Sequence, residues 1–252
     1  LTNFSMGIDD EAFSGYFSMH GGLLSQGRWA YIFTKIIFDS YMFLPFWRDF
    51  IALLMIALGV TILTKVFQKF SEGLFDTTTS IIYAALMLSF PYIASVFIFM
   101  MCTIEIGMIT ILIALSLYCC FTWLIDKKSI KYLFLGIALL TYATGIGETA
   151  TVIFISEAFM IMFLNLLKSN NKFNMKSLFI TIIKIIGIIV TSVILWKIIG
   201  VLLQKILAAP DSSYVSNYFG YNFNSFSGFI ISSRDFIINY AKLLYRNFSS
   251  DL

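Results

Sequence analysis

The chain has 252 residues, of which 59% are hydrophobic and only 12% are charged, and its mean hydropathy is +0.88. A soluble domain has roughly 45–50% apolar and about 25% charged residues, so this composition excludes a soluble globular protein. The formal net charge of +3 comes mainly from lysines between apolar segments, which argues against a nucleic-acid surface. The sequence therefore predicts an all-α, polytopic integral membrane protein, a bundle of helices embedded in the lipid bilayer.

Cysteine and histidine usage argues against several kinds of site. Cys102, Cys119 and Cys120 lie in or beside apolar segments and have no histidine at ligand spacing. His20 is the single histidine, which removes Ser-His-Asp and Cys-His mechanisms unless part of the chain is missing. We therefore predict no disulfide framework, no zinc site and no cofactor.

Residues 1–44 form the polar part of the chain and begin with an acidic stretch. Asp9, Asp10 and Glu11 are consecutive carboxylates near a low-dielectric surface, where their mutual repulsion favours protonation of at least one of them. Such a group is a competent general base near neutrality. A solvated acidic loop or a helix cap is the alternative reading. Binding of a divalent metal ion is a third, which the spacing does not support.

An arginine and a tryptophan close this polar part. The guanidinium of Arg28 can hold a phosphate by two parallel hydrogen bonds, and Trp29 beside it can seat a sugar face or an apolar chain. The alternative is an interfacial anchor. From Trp29 to Phe43, isoleucines alternate with polar residues in a pattern typical of an amphipathic helix at the membrane interface.

Long apolar runs follow, and we compare the length of each with the roughly 20 residues that a spanning helix needs. The fourth run is too short to span and is expected to form half of a hairpin that turns between Gly145 and Glu148. Pro91 should kink the second run. We expect about six spanning or hairpin helices. The runs are 46–66, 79–101, 104–125, 131–145, 148–167 and 178–205.

The lysines orient this bundle. They cluster in alternate connections, which the positive-inside rule assigns to the cytoplasm. The opposite side then receives residues 1–44, the turns near Glu105 and Glu148, and the chain from about residue 208. Glu105 and Glu148 are therefore expected to converge with the acidic stretch, although carboxylates that only solvate a turn remain an alternative. The lysines are Lys65, Lys69, Lys127, Lys128, Lys131, Lys168, Lys172 and Lys176.

One carboxylate lies in the middle of an apolar helix. Glu157 should face the bundle interior, protonated or paired, because a charge there costs at least a few kcal/mol. Lys197 is a conceivable partner, and snorkelling explains that lysine as well.

The predicted organisation has three parts. Residues 1–44 are an external catalytic loop with an interfacial helix, residues 45–207 are the transmembrane domain, and residues 208–252 are an external aromatic-rich segment. Because the chain begins with Leu1 and ends just after that segment, we expect it to be a fragment of a longer protein.

Four short motifs carry a family resemblance. In residues 7–11, 26–29, 89–92 and 142–148 they read Gly-Ile-Asp-Asp-Glu, Gln-Gly-Arg-Trp, Ser-Phe-Pro-Tyr and Tyr-Ala-Thr-Gly-Ile-Gly-Glu. The chain resembles the Gtr-type glucosyltransferases that decorate bacterial O-antigen and related surface polymers. Members of that family usually begin with a spanning helix before the acidic loop, and they often carry Gln where this chain has Glu148.

The resemblance implies a GT-C-type helical bundle that works at the external face of the cytoplasmic membrane. It implies a polyprenyl-phosphate-linked hexose as donor and a polysaccharide as acceptor. We predict Asp9 and Asp10 as catalytic residues. Substrate contacts are predicted at Glu11, Gln26, Arg28, Trp29, Glu105 and Glu148. Two rival interpretations are a transporter for lipid-linked sugars, which would depend on Glu157 and Lys197, and a non-catalytic membrane assembly subunit.

Overall fold

The computed structural model describes residues 23–38, 45–71, 73–89, 103–168 and 175–208, together with Ile231, Arg234, Ile238 and Lys242. All regular secondary structure in these residues is helical, which confirms the predicted all-α class. After a short helical turn at residues 23–25, the helices are α1 (Trp29–Ile37), α2 (Pro45–Phe70), α3 (Thr77–Ser89), α4 (Thr103–Leu124), α5 (Ile130–Ile146), α6 (Thr149–Lys168) and α7 (Met175–Ile206).

Four of the described helices are long and apolar enough to cross a membrane, so the expected number of about six is corrected. They are Phe46–Phe70, Thr103–Leu124, Thr149–Leu167 and Leu178–Ile206. Helices α3 and α5 are apolar but shorter, as the sequence predicted for α5. The run predicted over 79–101 is helical only as far as Ser89 in the described residues, and Pro91 lies outside them.

Helices α2 and α4 pack side by side and run in the same direction. A Cβ atom added to Gly107 would lie 2.8 Å from Met55 Cβ, and one added to Gly59 would lie 2.5 Å from Thr110 Oγ1. Small residues at these positions let two helices approach closely, which is how helices associate where lipid offers no hydrophobic gain. Much of the buried core of the bundle lies around this pair.

Helix α5 is antiparallel to α4 and also packs beside α7. The hydroxyl of Ser116 donates to the carbonyl of Gly136 at 2.7 Å, and the hydroxyl of Thr141 donates to the carbonyl of Ser192 at 3.4 Å. The starts of α2, α4 and α6 therefore meet the end of α5 and the later part of α7. We call this the Gly145 end of the bundle.

The opposite end gathers lysine-bearing connections. Lys69, at the close of α2, lies 2.9 Å from Asp126 and donates to the hydroxyl of Thr122 at 3.1 Å. Nearby, the backbone N–H of Thr79 donates to Asp76 at the start of α3, and this bond lowers the pKa of that carboxyl. The contacts agree with the alternation of lysines in the sequence. Which side of the membrane each end faces stays a prediction.

The face of α1 that is buried in the bundle is mixed, because it holds Trp29, Ala30, Tyr31 and Ile32 as well as two polar residues. Thr34 and Lys35 are buried, whereas Ile36 and Ile37 are 57% and 69% exposed. In lipid, polar side chains are better satisfied between helices and apolar ones can face the hydrocarbon, the reverse of a soluble helix. The interfacial location predicted for residues 29–43 stays a prediction.

The chain divides into two compact units, Leu1–Ala209 and Pro210–Leu252. The first contains the helices above. In the second, Ile231, Arg234, Ile238 and Lys242 are helical and exposed. The predicted domain roles stay predictions.

Candidate functional site

The Gln-Gly-Arg-Trp stretch forms a helix-terminating turn. The N–H of Arg28 donates to the carbonyl of Leu23 and the N–H of Gly27 donates to that of Leu24, both at 2.9 Å. These bonds, with Gly27 at φ +81°, define a Schellman motif, in which glycine is favoured at the left-handed position. The turn ends one helical segment and places Arg28 immediately before α1.

Trp29 fixes this turn to the bundle. It is buried, and a Cβ atom added to Gly145 on α5 would lie 2.8 Å from its Cε2 atom. Its ring meets the ring of Tyr142 edge to face at a centroid distance of 5.8 Å. Only glycine at position 145 leaves room for the indole at this distance. The end of α5 is therefore shaped to receive Trp29.

Trp196 on α7 holds the same turn from the other side. Its indole N–H donates to the carbonyl of Gly27 at 2.8 Å, and its own carbonyl accepts a bond from the indole N–H of Trp29 at 3.3 Å. Sequence reasoning missed Trp196. A signal was available, because a tryptophan in an apolar helix needs a partner for its N–H and Gly200 one turn later leaves space for one.

Arg28 and Glu148 face each other across the Gly145 end. The shortest distance between guanidinium and carboxylate is 3.8 Å, and the side chains are 42% and 45% exposed. An exposed pair at this distance contributes only about 0–1 kcal/mol. The position of Arg28 is therefore set by the backbone around it and by Trp29, while its guanidinium can exchange partners.

The turn that carries Glu148 is itself well ordered by hydrogen bonds. The N–H of Gly147 donates to the carbonyl of Ala143 at 3.1 Å, and the N–H of Thr151 donates to that of Glu148 at 3.1 Å. The end of α5 and the start of α6 thereby form one continuous corner. Two segments that are distant in the chain, 26–29 and 142–148, form a single site at this corner.

These are two of the four segments on which the family resemblance rests, and a comparison with protein families decides the matter. The family model described as glucosyl transferase GtrII matches residues 1–251. The chain belongs to the GtrII glucosyl transferase family. Neither a curated protein nor a solved structure matches the chain. As a GtrII glucosyl transferase with apolar spanning helices, the protein is a membrane glycosyltransferase.

The predicted catalytic carboxylates of this GtrII chain, Asp9 and Asp10, lie outside the described residues, as does Glu11. Gln26 is partly buried at the end of the helical turn that precedes Gly27. The roles predicted for all four residues remain predictions.

Glu105 lies at the Gly145 end but is buried. Its carboxylate is 3.8 Å from the guanidinium of Arg48 on α2, and the two side chains are 1% and 3% exposed. The pair therefore joins the starts of α2 and α4. Its role as a substrate contact stays a prediction. The buried pair with Arg48 also gives Glu105 a structural role.

Glu157 has a partner within the bundle. The hydroxyl of Tyr83 on α3 donates to its carboxylate at 3.1 Å. The sequence considered Lys197 as the partner, but that side chain is exposed and lies 6.0 Å from the ring centroid of Trp196 on its own helix. Sequence reasoning missed Tyr83, whose signal was a hydroxyl in an apolar helix.

Within the part of the chain that the structure describes, no three His, Cys, Asp or Glu side chains come together in a way that could hold a metal ion. The prediction that the GtrII chain needs no metal remains a prediction.

Proposed function

We propose that the protein transfers glucose from a polyprenyl-phosphate-linked donor to a cell-surface polysaccharide at the external face of the cytoplasmic membrane. The family supplies the sugar and the class of reaction. The lipid-linked donor, the polysaccharide acceptor and the side of the membrane are the parts that we add.

One observation carries this proposal: a half-exposed arginine sits on a rigid turn at one end of an apolar bundle. The guanidinium of Arg28 is held at 3.8 Å from Glu148, too far for a strong pair, and the side chain is 42% exposed. A phosphate can therefore replace the carboxylate and receive two parallel N–H bonds. A donor anchored by its lipid in the membrane would present its phosphate at such a helix end.

The proposed reaction needs one base and one cation. A hydroxyl oxygen of the acceptor bonds to the anomeric carbon of the donor sugar, and its proton passes to the carboxylate of Asp9 or Asp10. The bond between the anomeric carbon and the phosphate oxygen breaks, and its electron pair leaves with polyprenyl phosphate. No general acid is required, because phosphate departs as an anion, unlike the alcohol that leaves in glycoside hydrolysis.

Arg28 would act mainly on the transition state. The donor phosphate is a diester with one negative charge, and the departing phosphate gains further charge as the bond breaks. A cation placed where charge develops stabilises the transition state more than the bound donor. Removal of Arg28 should therefore reduce kcat more than it raises the donor KM.

The remaining side chains have supporting parts in the proposal. Glu11, Gln26 and Glu148 contact the sugars. Trp29 is buried, so we assign it to holding Arg28 in place. Glu105 contributes by joining α2 and α4 beneath the site, through its pair with Arg48.

A second candidate, favoured by one specific observation, is transport of a lipid-linked sugar. Glu157 and Tyr83 form a polar pair inside the apolar bundle, and carboxylates at membrane depth often serve ion or proton pathways. This function would depend on Glu157 and be insensitive to Asp9.

The test is glucose transfer from radiolabelled polyprenyl-phosphate glucose, in membranes that contain the protein or its full-length parent. Wild type should transfer label, and Asp9→Asn or Asp10→Asn should lose turnover while still binding the donor. Absence of transfer by the wild type, or undiminished transfer by both variants, would contradict the proposed reaction. Loss of lipid-linked sugar movement across vesicles in Glu157→Gln would support the transporter instead.

A further inference from the structure

Trp196 makes two long-range hydrogen bonds at the Gly145 end, and the proposed reaction gives it no part. The carbonyl of Gly27 accepts the indole N–H of Trp196 at 2.8 Å, and the carbonyl of Trp196 accepts the indole N–H of Trp29 at 3.3 Å. Gly27 and Trp29, which flank Arg28, are thus both hydrogen-bonded to Trp196, a residue far from them in the chain.

Shape reinforces these bonds. A Cβ atom added to Gly27 would lie 2.7 Å from Cζ2 of Trp196, so the turn lies flat against the indole. One helical turn further along α7, the Cβ position of Gly200 is 3.8 Å from Gly27 Cα and 3.6 Å from Trp29 Cδ1. Trp196 and Gly200 together form a seat for the backbone of residues 27–29.

The seat matters because Arg28 has no strong side-chain partner among the described residues to define its place. Its pair with Glu148 is open and solvent-exposed. Without the bond from Trp196, the carbonyl of Gly27 would lose a donor, and the turn would be held to α7 only through Trp29. The guanidinium would then sample a wider range of positions.

We infer that Trp196 is a positioning residue for the proposed transfer, acting through the backbone of Gly27 to hold Arg28 where the donor phosphate departs. This inference rests on the proposed function of Arg28. It assigns a role to the long apolar helix α7, which the sequence presents only as a membrane span.

The decisive substitution is Trp196→Phe, which removes the N–H and keeps an aromatic ring. We expect kcat for glucose transfer to fall by about tenfold or more, because small misplacements of a group that acts on the transition state are costly. The donor KM should change less. Trp123→Phe is the matched control, since Trp123 lies at the other end of α4, beside Lys184. It should leave kcat unchanged.

A double-mutant cycle separates positioning from general loss of structure. In an Arg28→Lys background, Trp196→Phe should have a much smaller effect on kcat, because the fork-shaped guanidinium that it positions is already gone. An equal fold-loss in both backgrounds would overturn the inference. So would wild-type kcat in Trp196→Phe while Arg28→Lys is impaired. If Arg28→Lys and Arg28→Ala both transfer at the wild-type rate, the proposed function itself fails.

A second variant covers the case in which Trp196→Phe does not fold, as judged by size-exclusion chromatography in detergent. Gly27→Ala disturbs the same seat from the other side, because its Cβ atom meets Trp196 and its φ of +81° strains an L-residue. Its kcat should fall with the same dependence on Arg28. A kcat equal to that of wild type would contradict the role of the seat.

Discussion

The guanidinium of Arg28 and the carboxylate of Glu148 lie 3.8 Å apart at the Gly145 end, and each side chain remains more than two-fifths exposed. Their backbones are held far more firmly than their side chains. Arg28 follows a Schellman turn bonded to α7, and Glu148 begins the corner between α5 and α6. A rigid frame with loosely paired charges suits a site where an anionic ligand replaces one partner.

The fit between Gly145 and Trp29 can be tested by Gly145→Ala. The new Cβ atom would lie 2.8 Å from Trp29 Cε2 and 2.9 Å from Ala30 Cβ, so something must shift. Overpacking of about 1–3 kcal/mol, less about 1 kcal/mol from the helix preference of alanine, should lower the free energy of unfolding by roughly 1 kcal/mol. Transfer should fall as well, because Trp29 positions Arg28.

The matched control for that substitution is Gly187→Ala on α7, where nothing lies within 4 Å of the added Cβ. This variant should be as stable as wild type or more so, by up to about 1 kcal/mol. Thermal unfolding in detergent measures both variants. Equal stability and equal transfer in the two would show that Trp29 does not depend on Gly145.

The extent of the helices was largely predictable from the sequence. Helices α4 and α5, predicted at 104–125 and 131–145, extend over Thr103–Leu124 and Ile130–Ile146, because continuous apolar runs with polar boundaries define the helices of a membrane bundle. The second run, predicted at 79–101, is confirmed over residues 79–89, and the rest of it lies outside the described residues. The described part of α3 ends at Ser89.

The buried pair of Arg48 and Glu105 gives a prediction about stability. Glu105→Gln removes the charge that faces a guanidinium that is 3% exposed. Weakening a buried pair from one side is destabilising, so the unfolding temperature in detergent should drop. If the role of Glu105 is structural alone, kcat per folded molecule should not change. A stable variant with reduced kcat would instead support the predicted substrate contact.

The polar pair inside the bundle discriminates between transferase and transporter. Glu157→Gln keeps a group that can accept from the hydroxyl of Tyr83, which lies 3.1 Å from the carboxylate. We expect glucose transfer to continue at the wild-type rate, because the proposed reaction uses no charge at membrane depth. Tyr83→Phe serves as the companion variant and should behave alike. Abolished transfer in both variants, with intact folding, would place this pair in the mechanism.

The topology has a separate test. Reporter fusions after residue 128 and after residue 208 should locate to opposite sides of the membrane, with the first in the cytoplasm. The reason is that the lysines around residue 128 lie at the end opposite to Gly145, whereas α7 ends beyond Trp196 and Gly200. Both reporters on one side would overturn the orientation that we propose for the site.

The details of the candidate site could be predicted only in part. The sequence put Arg28 and Glu148 on the same side of the membrane, because the lysines alternate between connections. It could not predict that they would meet, since contacts of residues 26–29 with α7 and with the corner between α5 and α6 depend on how helices pack. The seat formed by Trp196 and the Tyr83–Glu157 bond are such contacts. Each of these contacts satisfies a polar group inside the bundle, and the sequence does not show which residue provides the partner.

The orientation of α1 shows a further limit of reading apolar patterns. Its isoleucines mark the side that avoids water, but in a membrane that side can face lipid as well as protein. Thr34 lies 3.2 Å from the hydroxyl of Tyr142, which places it against α5, and Ile32 of the same helix is buried as well, whereas Ile36 and Ile37 are exposed. The periodicity of apolar residues therefore predicts an apolar face on α1, but it does not predict whether that face contacts lipid or another helix.

Transfer kinetics with polyprenyl-phosphate glucose show whether Arg28 holds the phosphate of a lipid-linked donor. Arg28→Ala should lower kcat by about 10²–10³-fold, the cost of losing a group that stabilises developing charge. Arg28→Lys should recover part of the loss. Lys131→Ala, which removes an exposed cation at the opposite end of the bundle, should transfer at the wild-type rate. Wild-type kcat and donor KM in Arg28→Ala would show that Arg28 does not hold the donor phosphate.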